Sequence, residues 1–173
     1  MTMLHAGNGG MCFIDSVELD EVYTPILVRT RRLIPDSEGA GKYRGAPGIR
    51  VEFGPVGDRM QAVFVADGNV HNPKGARGGR EAAPSAQQIR HRNGSIRPLP
   101  QYCDTWVEDG DTLISTACGG GGYGDPRERE PEHVAADVRE ELITRDRAEM
   151  VYGVAVTADG HVDLAATKRL RLP

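Results

Sequence analysis

The sequence has few aromatic residues and few cysteines, and both shortages narrow the class of protein it encodes. Aromatic side chains make up only 5% of the 173 residues, whereas glycine (22) and proline (11) are frequent. That composition predicts a loop-rich and β-rich chain with a modest core, which we expect to depend on a partner. The cysteines contain no CxxC pair, so we expect reduced thiols rather than a disulfide framework, a zinc ribbon or a redox motif; they are Cys12, Cys103 and Cys118.

Features that would direct the chain to a membrane or to nucleic acid are also missing. No apolar run approaches the ~20 residues that span a bilayer, and the segment from Met1 to Gly10 lacks the pattern of a signal peptide. The net charge of −4 and the pI of 5.7 give no reason to expect the basic face of a nucleic-acid binder. We therefore expect a soluble cytoplasmic protein without a membrane or nucleic-acid partner.

Hydrophobic periodicity predicts an α+β fold that is mostly antiparallel β, with glycine-rich loops and a small C-terminal helical segment. Residues 1–21 are interpreted as an extended N-terminal arm, and residues 22–173 as a single β-rich domain. The second and third predicted strands resemble an antiparallel hairpin. Pro25 indicates either an edge position for the first strand or the entry to that strand. The predicted strands cover residues 22–34, 49–53, 61–66, 88–91 and 111–116.

Beyond residue 130 the period of the apolar residues becomes helical. A helix is predicted to begin near Pro131, because one apolar stripe repeats every fourth residue, at Val134, Val138 and Leu142. A second helix is predicted over residues 145–152, with Thr144 as its N-cap and Gly153 as its stop. Residues 154–164 are predicted to form a terminal hairpin.

The most unusual stretch is a glycine run that follows a predicted strand and precedes a predicted helix. Five glycines occupy six positions, which indicates that side chains would block a turn or the close approach of another backbone or a ligand. The amides of such a loop can form an anion-binding concavity, although a tight connection or interface packing is commoner. Neither a phosphate-loop pattern nor a dinucleotide pattern is present. We predict a binding or interface surface made of Gly119, Gly120, Gly121, Gly122, Tyr123, Gly124 and Asp125.

No complete active site is visible in the sequence, so the catalytic residues are unknown at this stage. His133 and Asp137 lie on adjacent turns of the predicted helix, where a surface contact is commoner than a metal site. Cys118 has no base near it in sequence and is interpreted as a buried structural cysteine rather than a nucleophile. Asp125 lies just ahead of the predicted helix start, where it could cap that helix, or it could reach into a partner's site. The first strand's arginines are expected on its solvent face rather than in a binding patch: Arg29, Arg31 and Arg32.

Several stretches together resemble the hydantoinase B/oxoprolinase family. Residues 35–50, PDSEGAGKYRGAPGIR, are similar to that family's PDSGGAGRYRGGxGxR segment, and residues 73–79 to its glycine loop after the central strands. The ending from Asp109 onward is similar to the family's GD…GGGGYGDPxxRxPxxVxxDVR…VYGV pattern. The chain departs from the family at Glu38, where a glycine is usual, and at Gly68, where an arginine is common.

The resemblance covers the family's C-terminal part and implies a subunit of a larger enzyme. Such enzymes open cyclic amides (hydantoins, oxoproline, lactams) or carboxylate ketones with ATP. An ATP-binding A-type subunit phosphorylates the substrate, and a B-type subunit handles the activated species. The resemblance implies that this chain completes a truncated B-type subunit in trans within a hetero-oligomer. It also implies that ATP and a divalent metal are bound by the partner subunits and not by this chain alone.

Three interpretations of the chain's role follow. In the first, the glycine run helps to shape an active site in a neighbouring subunit. In the second, the chain is a structural assembly module far from any chemistry. In the third, it is an autonomous protein that binds an anion at the glycine run.

Overall fold

The computed structural model describes residues 16–172. Most of the predicted arm, residues 1–15, lies outside this part of the chain, as does Cys12. From Val17 to Tyr23 the backbone is helical rather than extended, and acidic Glu18 and Asp20 lie in its first turn, where they favour a helix N-terminus. The predicted α+β class, mostly antiparallel β with a helical C-terminal segment, is confirmed.

In chain order the elements are α1 (Val17–Tyr23), β1 (Ile26–Leu33), β2 (Ile49–Pro55), β3 (Met60–Val65), β4 (Ala86–Arg90), β5 (Ile96–Pro98), β6 (Tyr102–Val107), β7 (Thr112–Thr116), α2 (Pro131–Arg139), α3 (Arg145–Tyr152) and α4 (Leu164–Arg171). Two short 3-10 turns lie at Asp67–Asn69 and Pro126–Glu128.

The strands form a five-stranded sheet and a two-stranded sheet. The order in the larger sheet is β1-β2-β7-β4-β5, so β1 is an edge strand, one of the two alternatives that Pro25 indicated. Strand β7 pairs antiparallel with both β2 and β4, and β3 pairs antiparallel with β6. Gly94, with φ +86°, lies in the predicted Asn93-Gly94 turn that connects β4 to β5.

The predicted hairpin of β2 and β3 is wrong. Strand β2 lies between β1 and β7, so neither of its edges is open to β3. Just beyond β2, the N–H of Val56 donates to the carbonyl of Pro25 at 2.9 Å, which keeps this end of the chain beside β1. The turn around Gly57 therefore carries the chain into the other sheet, where β3 pairs with β6.

The chain divides into two compact units, where the sequence predicted one domain. Within the described part of the chain, the first comprises residues 16–32, Arg50–Asp67 and Ala86–Thr116, and it contains most of both sheets. Strands of both sheets contribute to its core, which contains Ala62, Ile89, Leu99, Val107 and Leu113.

The second unit comprises Leu33–Ile49, Gly68–Ser85 and the chain from Ala117 onward. It combines three glycine-rich loops with helices α2, α3 and α4. Its core contains Ala40, Val134, Ile143, Ala148, Tyr152 and Val154.

The predicted bounds and caps of α3 are confirmed. Thr144 accepts a hydrogen bond from the N–H of Arg147, and Gly153 ends the helix at φ 64°. In place of the predicted terminal hairpin, the structure has one antiparallel bridge, between Val156 and Val162. The chain then enters α4 at Leu164. A signal for α4 was present in the sequence: Asp163 caps the helix by accepting from the N–H of Ala166 at 2.9 Å.

Two further features concern the thiols and the length of the helices. Cys103 and Cys118 are free and half-buried, so Cys118 is less enclosed than predicted. Among residues 16–172, none of the helices combines the length and the apolar character needed to cross a bilayer.

Candidate functional site

The three glycine-rich loops of the second unit meet through their backbones. We call residues 35–48, 68–85 and 117–125 the three-loop cluster. The N–H of Gly39 in the first loop donates to the carbonyl of Gly120 in the third at 2.8 Å. The N–H of Gly122 donates to the carbonyl of Arg80 in the second loop at 3.0 Å. The glycine run therefore contacts both of the other loops.

These contacts require glycine because the backbones approach too closely for a side chain. A Cβ atom on Gly45 would overlap the carbonyl of Gly120, and one on Gly121 would overlap the carbonyl of Lys74. A Cβ atom on Gly79 would likewise overlap the carbonyl of Gly122. Since these obstacles are backbone atoms, they cannot move aside as a flexible side chain could. Close backbone approach accounts for Gly119, Gly121 and Gly122, whereas Gly124 has a positive φ of +75°.

Most amides of the run already have acceptors. In each of the following pairs, the N–H of the first residue donates to the carbonyl of the second: Gly119 to Ala83 (3.3 Å), Gly120 to Ala46 (2.8 Å), Gly122 to Arg80 (3.0 Å), Tyr123 to Tyr43 (2.9 Å) and Gly124 to Ala76 (3.0 Å). An anion-binding concavity needs N–H groups that converge on open space. Here the amides point at carbonyl oxygens, which would repel an anion. The geometry favours packing over an anion cradle.

The departure from the family pattern at Glu38 has a structural role. Glu38 is 1% exposed, and its Oε1 accepts from the Nε of Arg147 at 2.8 Å and from the hydroxyl of Tyr152 at 2.9 Å. Burial raises the pKa of the Tyr152 phenol far above its ordinary value, and the nearby Glu38 carboxylate adds to the rise. The carboxylate therefore joins the first loop of the three-loop cluster to α3.

A second buried carboxylate joins the same loop to α2. Asp137 accepts from the Nε of Arg44 at 2.9 Å and from Nη2 of Arg129 at 2.8 Å, and its side chain is 6% exposed. The predicted surface contact between His133 and Asp137 is therefore wrong. Asp137 faces inward to two arginines, and such a bridged carboxylate is far more costly to break than a surface pair.

The remaining predicted site residues lie where the cluster reaches the surface. Asp125 caps the turn at Pro126–Glu128, and its Oδ1 accepts from the N–H of Arg127 at 2.9 Å. Tyr123 is 45% exposed, and its ring lies 6.3 Å from that of Tyr43, centroid to centroid. Sequence reasoning did not single out Tyr43 or Arg77, which both adjoin Tyr123.

Sequence reasoning also missed a histidine–carboxylate pair in the first unit. The Nδ1 of His91 lies 2.8 Å from Oδ2 of Asp111, and the other carboxylate oxygen accepts from the N–H of Arg92 at 2.9 Å. These bonds brace the ends of β4 and β7. Over residues 16–172, no three His, Cys, Asp or Glu side chains converge as a metal site would require. The donor set of this part of the chain therefore does not fit a metal ion.

Comparison with known sequences identifies relatives of this chain. A profile described as hydantoinase B/oxoprolinase matches residues 1–126. The beta subunit of the Pseudomonas jessenii caprolactamase is 35% identical over 162 residues, which cover 91% of this chain and 28% of that protein. The B-type subunit of a putative D-/L-hydantoinase from a Pseudomonas species is 30% identical, over 95% of this chain and 30% of that protein.

Solved structures give the same result. The nucleotide-free structure of acetone carboxylase superposes with a TM-score of 0.79 at 26% identity and covers 94% of this chain. The ATP-dependent caprolactamase of Pseudomonas jessenii superposes with a TM-score of 0.73 at 29% identity and covers 90% of this chain.

The relatives are much longer than this chain. It spans 28% of the caprolactamase subunit and 26% of the acetone carboxylase chain. The profile nevertheless matches well over half of the chain, and the superpositions extend over nearly all of it. This protein belongs to the hydantoinase B/oxoprolinase family.

Proposed function

We propose that this chain is a small subunit of a multi-subunit ATP-dependent enzyme, in which it completes a truncated B-type subunit in trans. The enzyme hydrolyses a cyclic amide of the hydantoin, oxoproline or lactam type, or carboxylates a ketone. The observation that carries the proposal is the likeness to such enzymes: the chain matches the caprolactamase beta subunit over 91% of its own length and superposes on acetone carboxylase over 94%.

The outer face of the two-stranded sheet supports the proposal. On β3, Val63 and Val65 are 68% and 71% exposed. On β6, Tyr102 and Trp106 are 61% and 47% exposed, with Asp104 between them on the same face. Exposed apolar faces of this kind are typical of protein interfaces. We propose the truncated B-type subunit as the occupant, because in the caprolactamase the segment similar to this chain is joined to the rest of the B-type subunit in one polypeptide.

In this assembly the chemistry belongs to the partners. The A-type subunit would bind ATP and phosphorylate the substrate, and a divalent metal would be held by the partner chains. The described residues of this chain offer a rigid surface. Backbone hydrogen bonds fix the glycine run, and the ion pairs Arg44–Asp137 and Glu38–Arg147 hold the first loop to α2 and α3. We propose that Gly119–Asp125 lies at the interface, where it shapes a neighbouring active site.

Purification of the tagged chain from its native host tests the proposal. We expect an ATP-binding chain and a chain that matches the missing part of the family fold to co-purify, identified by mass spectrometry. The complex should hydrolyse ATP faster in the presence of one of four probes: hydantoin, 5-oxoproline, caprolactam or acetone. Turnover of any of these by the isolated chain would overturn the proposal, as would its recovery as a lone stable monomer.

The second candidate is an assembly module without influence on the chemistry, which the self-satisfied amides of the glycine run favour. Replacing Gly121 with Val cannot separate the two roles, because the new side chain would overlap the carbonyl of Lys74 and disturb the fold. Replacing the exposed Tyr123 with Ala leaves the backbone unchanged. Lower turnover in an intact Tyr123→Ala complex would support a role at the active site, and unchanged turnover in an intact complex would support the assembly module.

A further inference from the structure

Three side chains form an exposed platform on top of the three-loop cluster. We call Tyr43, Arg77 and Tyr123 the Tyr–Arg platform, and each comes from a different loop. The two phenol rings are tilted by 48° to each other, and Tyr43 is 65% exposed. The guanidinium carbon of Arg77 lies 5.9 Å from the centroid of the Tyr123 ring, within the range of a cation–π contact. Tyrosine and arginine are among the residues that most often dominate binding energy at protein interfaces.

The backbone beneath the platform is held in place. The N–H of Tyr43 donates to the carbonyl of Tyr123 at 3.0 Å, and the reciprocal bond is 2.9 Å. The N–H of Gly124 donates to the carbonyl of Ala76, next to Arg77, at 3.0 Å. A surface whose backbone is already ordered loses little further conformational entropy on binding.

Arg77 is held in a backbone conformation that favours glycine. Its φ is +49°, in the left-handed region that glycine adopts with less strain than arginine. The next two positions, Gly78 and Gly79, are glycines, but this one is not. Within residues 16–172 its guanidinium forms no ion pair. Because Arg77 keeps a strained backbone without forming an ion pair within the described fold, we infer that its side chain has a functional role.

The second loop carries three exposed cations and one exposed carboxylate, Glu81, in a chain whose net charge is −4, and Glu128 and Glu130 line a pocket together with Tyr43. Lys74 and Arg80 are exposed on the same loop as Arg77 and, like it, have no carboxylate partner among the described residues. Lys42, beside Tyr43, is different because it pairs with Glu128 at 3.2 Å. The nearest acidic residue of the run, Asp125, is engaged as the cap of the following turn.

We propose that the Tyr–Arg platform docks a carboxylate-bearing segment of the companion B-type subunit. Arg77 would pair with a carboxylate in the forked geometry that guanidinium favours, and the two tyrosines would cover the apolar part of the segment. This inference rests on the proposed function, since it names the contact by which the companion chain is held. Nucleic acid is disfavoured as the occupant, because three cations do not offset an acidic chain.

Two matched glycine substitutions test the proposal. Arg77→Gly removes the side chain and relieves the backbone, so we expect the melting temperature to stay the same or rise by about 2 °C. The control is Glu141→Gly, which relieves a similar φ of +56° elsewhere in the second unit. We expect Arg77→Gly to reduce the companion's affinity about 30-fold, the loss typical of an interface hot spot. Glu141→Gly should bind as the wild type does.

A third variant and a salt series separate charge from shape. Arg77→Lys keeps the charge and the strain but loses the planar fork, so we expect an intermediate affinity. The affinity of the wild type should fall as salt is added, and that of Arg77→Gly should fall less steeply. Companions that bind Arg77→Gly as tightly as the wild type would overturn the platform while leaving the proposed function intact.

If no companion chain co-purifies with the wild type, the proposed function fails and the platform is tested directly. Calorimetry on the full chain would then compare a short polyglutamate peptide with inorganic phosphate. Binding of the peptide to the wild type, lost in Arg77→Gly, would support recognition of a carboxylate-bearing segment. Heat from phosphate alone, or from neither probe, would overturn it.

Discussion

The Nε of Arg147 donates to Oε1 of Glu38 at 2.8 Å, although 109 positions separate the two residues. Nη2 of the same arginine donates to the carbonyl of Glu38 at 2.9 Å, so the contact has two points. Glu38 is 1% exposed, whereas the Arg147 side chain keeps 23% of its surface in contact with solvent. The pair fixes the first loop of the three-loop cluster to α3, at a position where the family pattern has glycine.

Replacing Arg147 should destabilise the protein more than a surface change would. Arg147→Met leaves the Glu38 carboxylate buried without its cation, which should lower the free energy of unfolding by about 3 kcal/mol. Arg169→Met, at an exposed arginine of α4, should change it by less than about 0.5 kcal/mol. Urea unfolding measures both values. The double variant Glu38→Gln, Arg147→Met should recover part of the loss, and an additive result would contradict a coupled pair.

Glycine substitutions should differ according to what the new Cβ meets. Gly45→Ala would push against the carbonyl of Gly120 and should cost about 3 kcal/mol or more. Gly57→Ala meets open space and carries only the strain of its φ of +83°, so we expect a cost of about 1 kcal/mol. Thermal unfolding of the two variants checks this order. Equal losses would mean that the three-loop cluster relaxes easily.

Glu52 should give the protein a stability that depends on acid pH. Burial of Glu52 raises the pKa of its carboxyl, but hydrogen bonds from Arg50 and Arg90, both 2.8 Å long, and their charges outweigh it, so the net shift is downward. The stabilisation is therefore present above the unfolded pKa of about 4.3 and is lost as the pH falls through the lower folded pKa.

The matching variant is Glu52→Gln. It should be less stable than the wild type by about 1 to 2 kcal/mol at neutral pH, and the gap should close in acid. Urea unfolding across the pH range measures the gap. Glu81→Gln, at an exposed carboxylate, serves as the control and should follow the wild-type profile. A gap that stayed constant down to strongly acid pH would show that the charge of Glu52 does not matter.

Tyr152 should resist ionisation in the folded protein. The raised pKa of its phenol means that its stabilising effect is complete below the unfolded pKa of about 10 and is lost at higher pH. An ultraviolet titration should show one of the five tyrosines silent until the chain unfolds. Tyr152→Phe should remove that silent phenol and lower stability at neutral pH by about 1 kcal/mol. Five phenols titrating together in the folded wild type would contradict the buried geometry.

Local sequence signals predicted the structure correctly where it depends only on residues that are adjacent in the chain. Thr144 and Gly153 set the ends of α3, and Asn93-Gly94 set a turn, because caps and turns need only a few adjacent residues. The hairpin of β2 and β3 failed for the opposite reason. Its two strands do alternate and lie close in sequence, but β1 and β7 occupy both edges of β2.

The sequence by itself determined the family, the antiparallel β character and the need for glycine between residues 119 and 124, since these depend on motif and composition. Only the tertiary structure decided what the glycines contact and which charges are buried. Gly121 lies against the second loop, Glu38 against α3 and Asp137 against Arg44, and all three neighbours are distant in sequence. Pairing across long stretches of chain depends on which backbones meet once the loops have closed, and no local pattern records that choice.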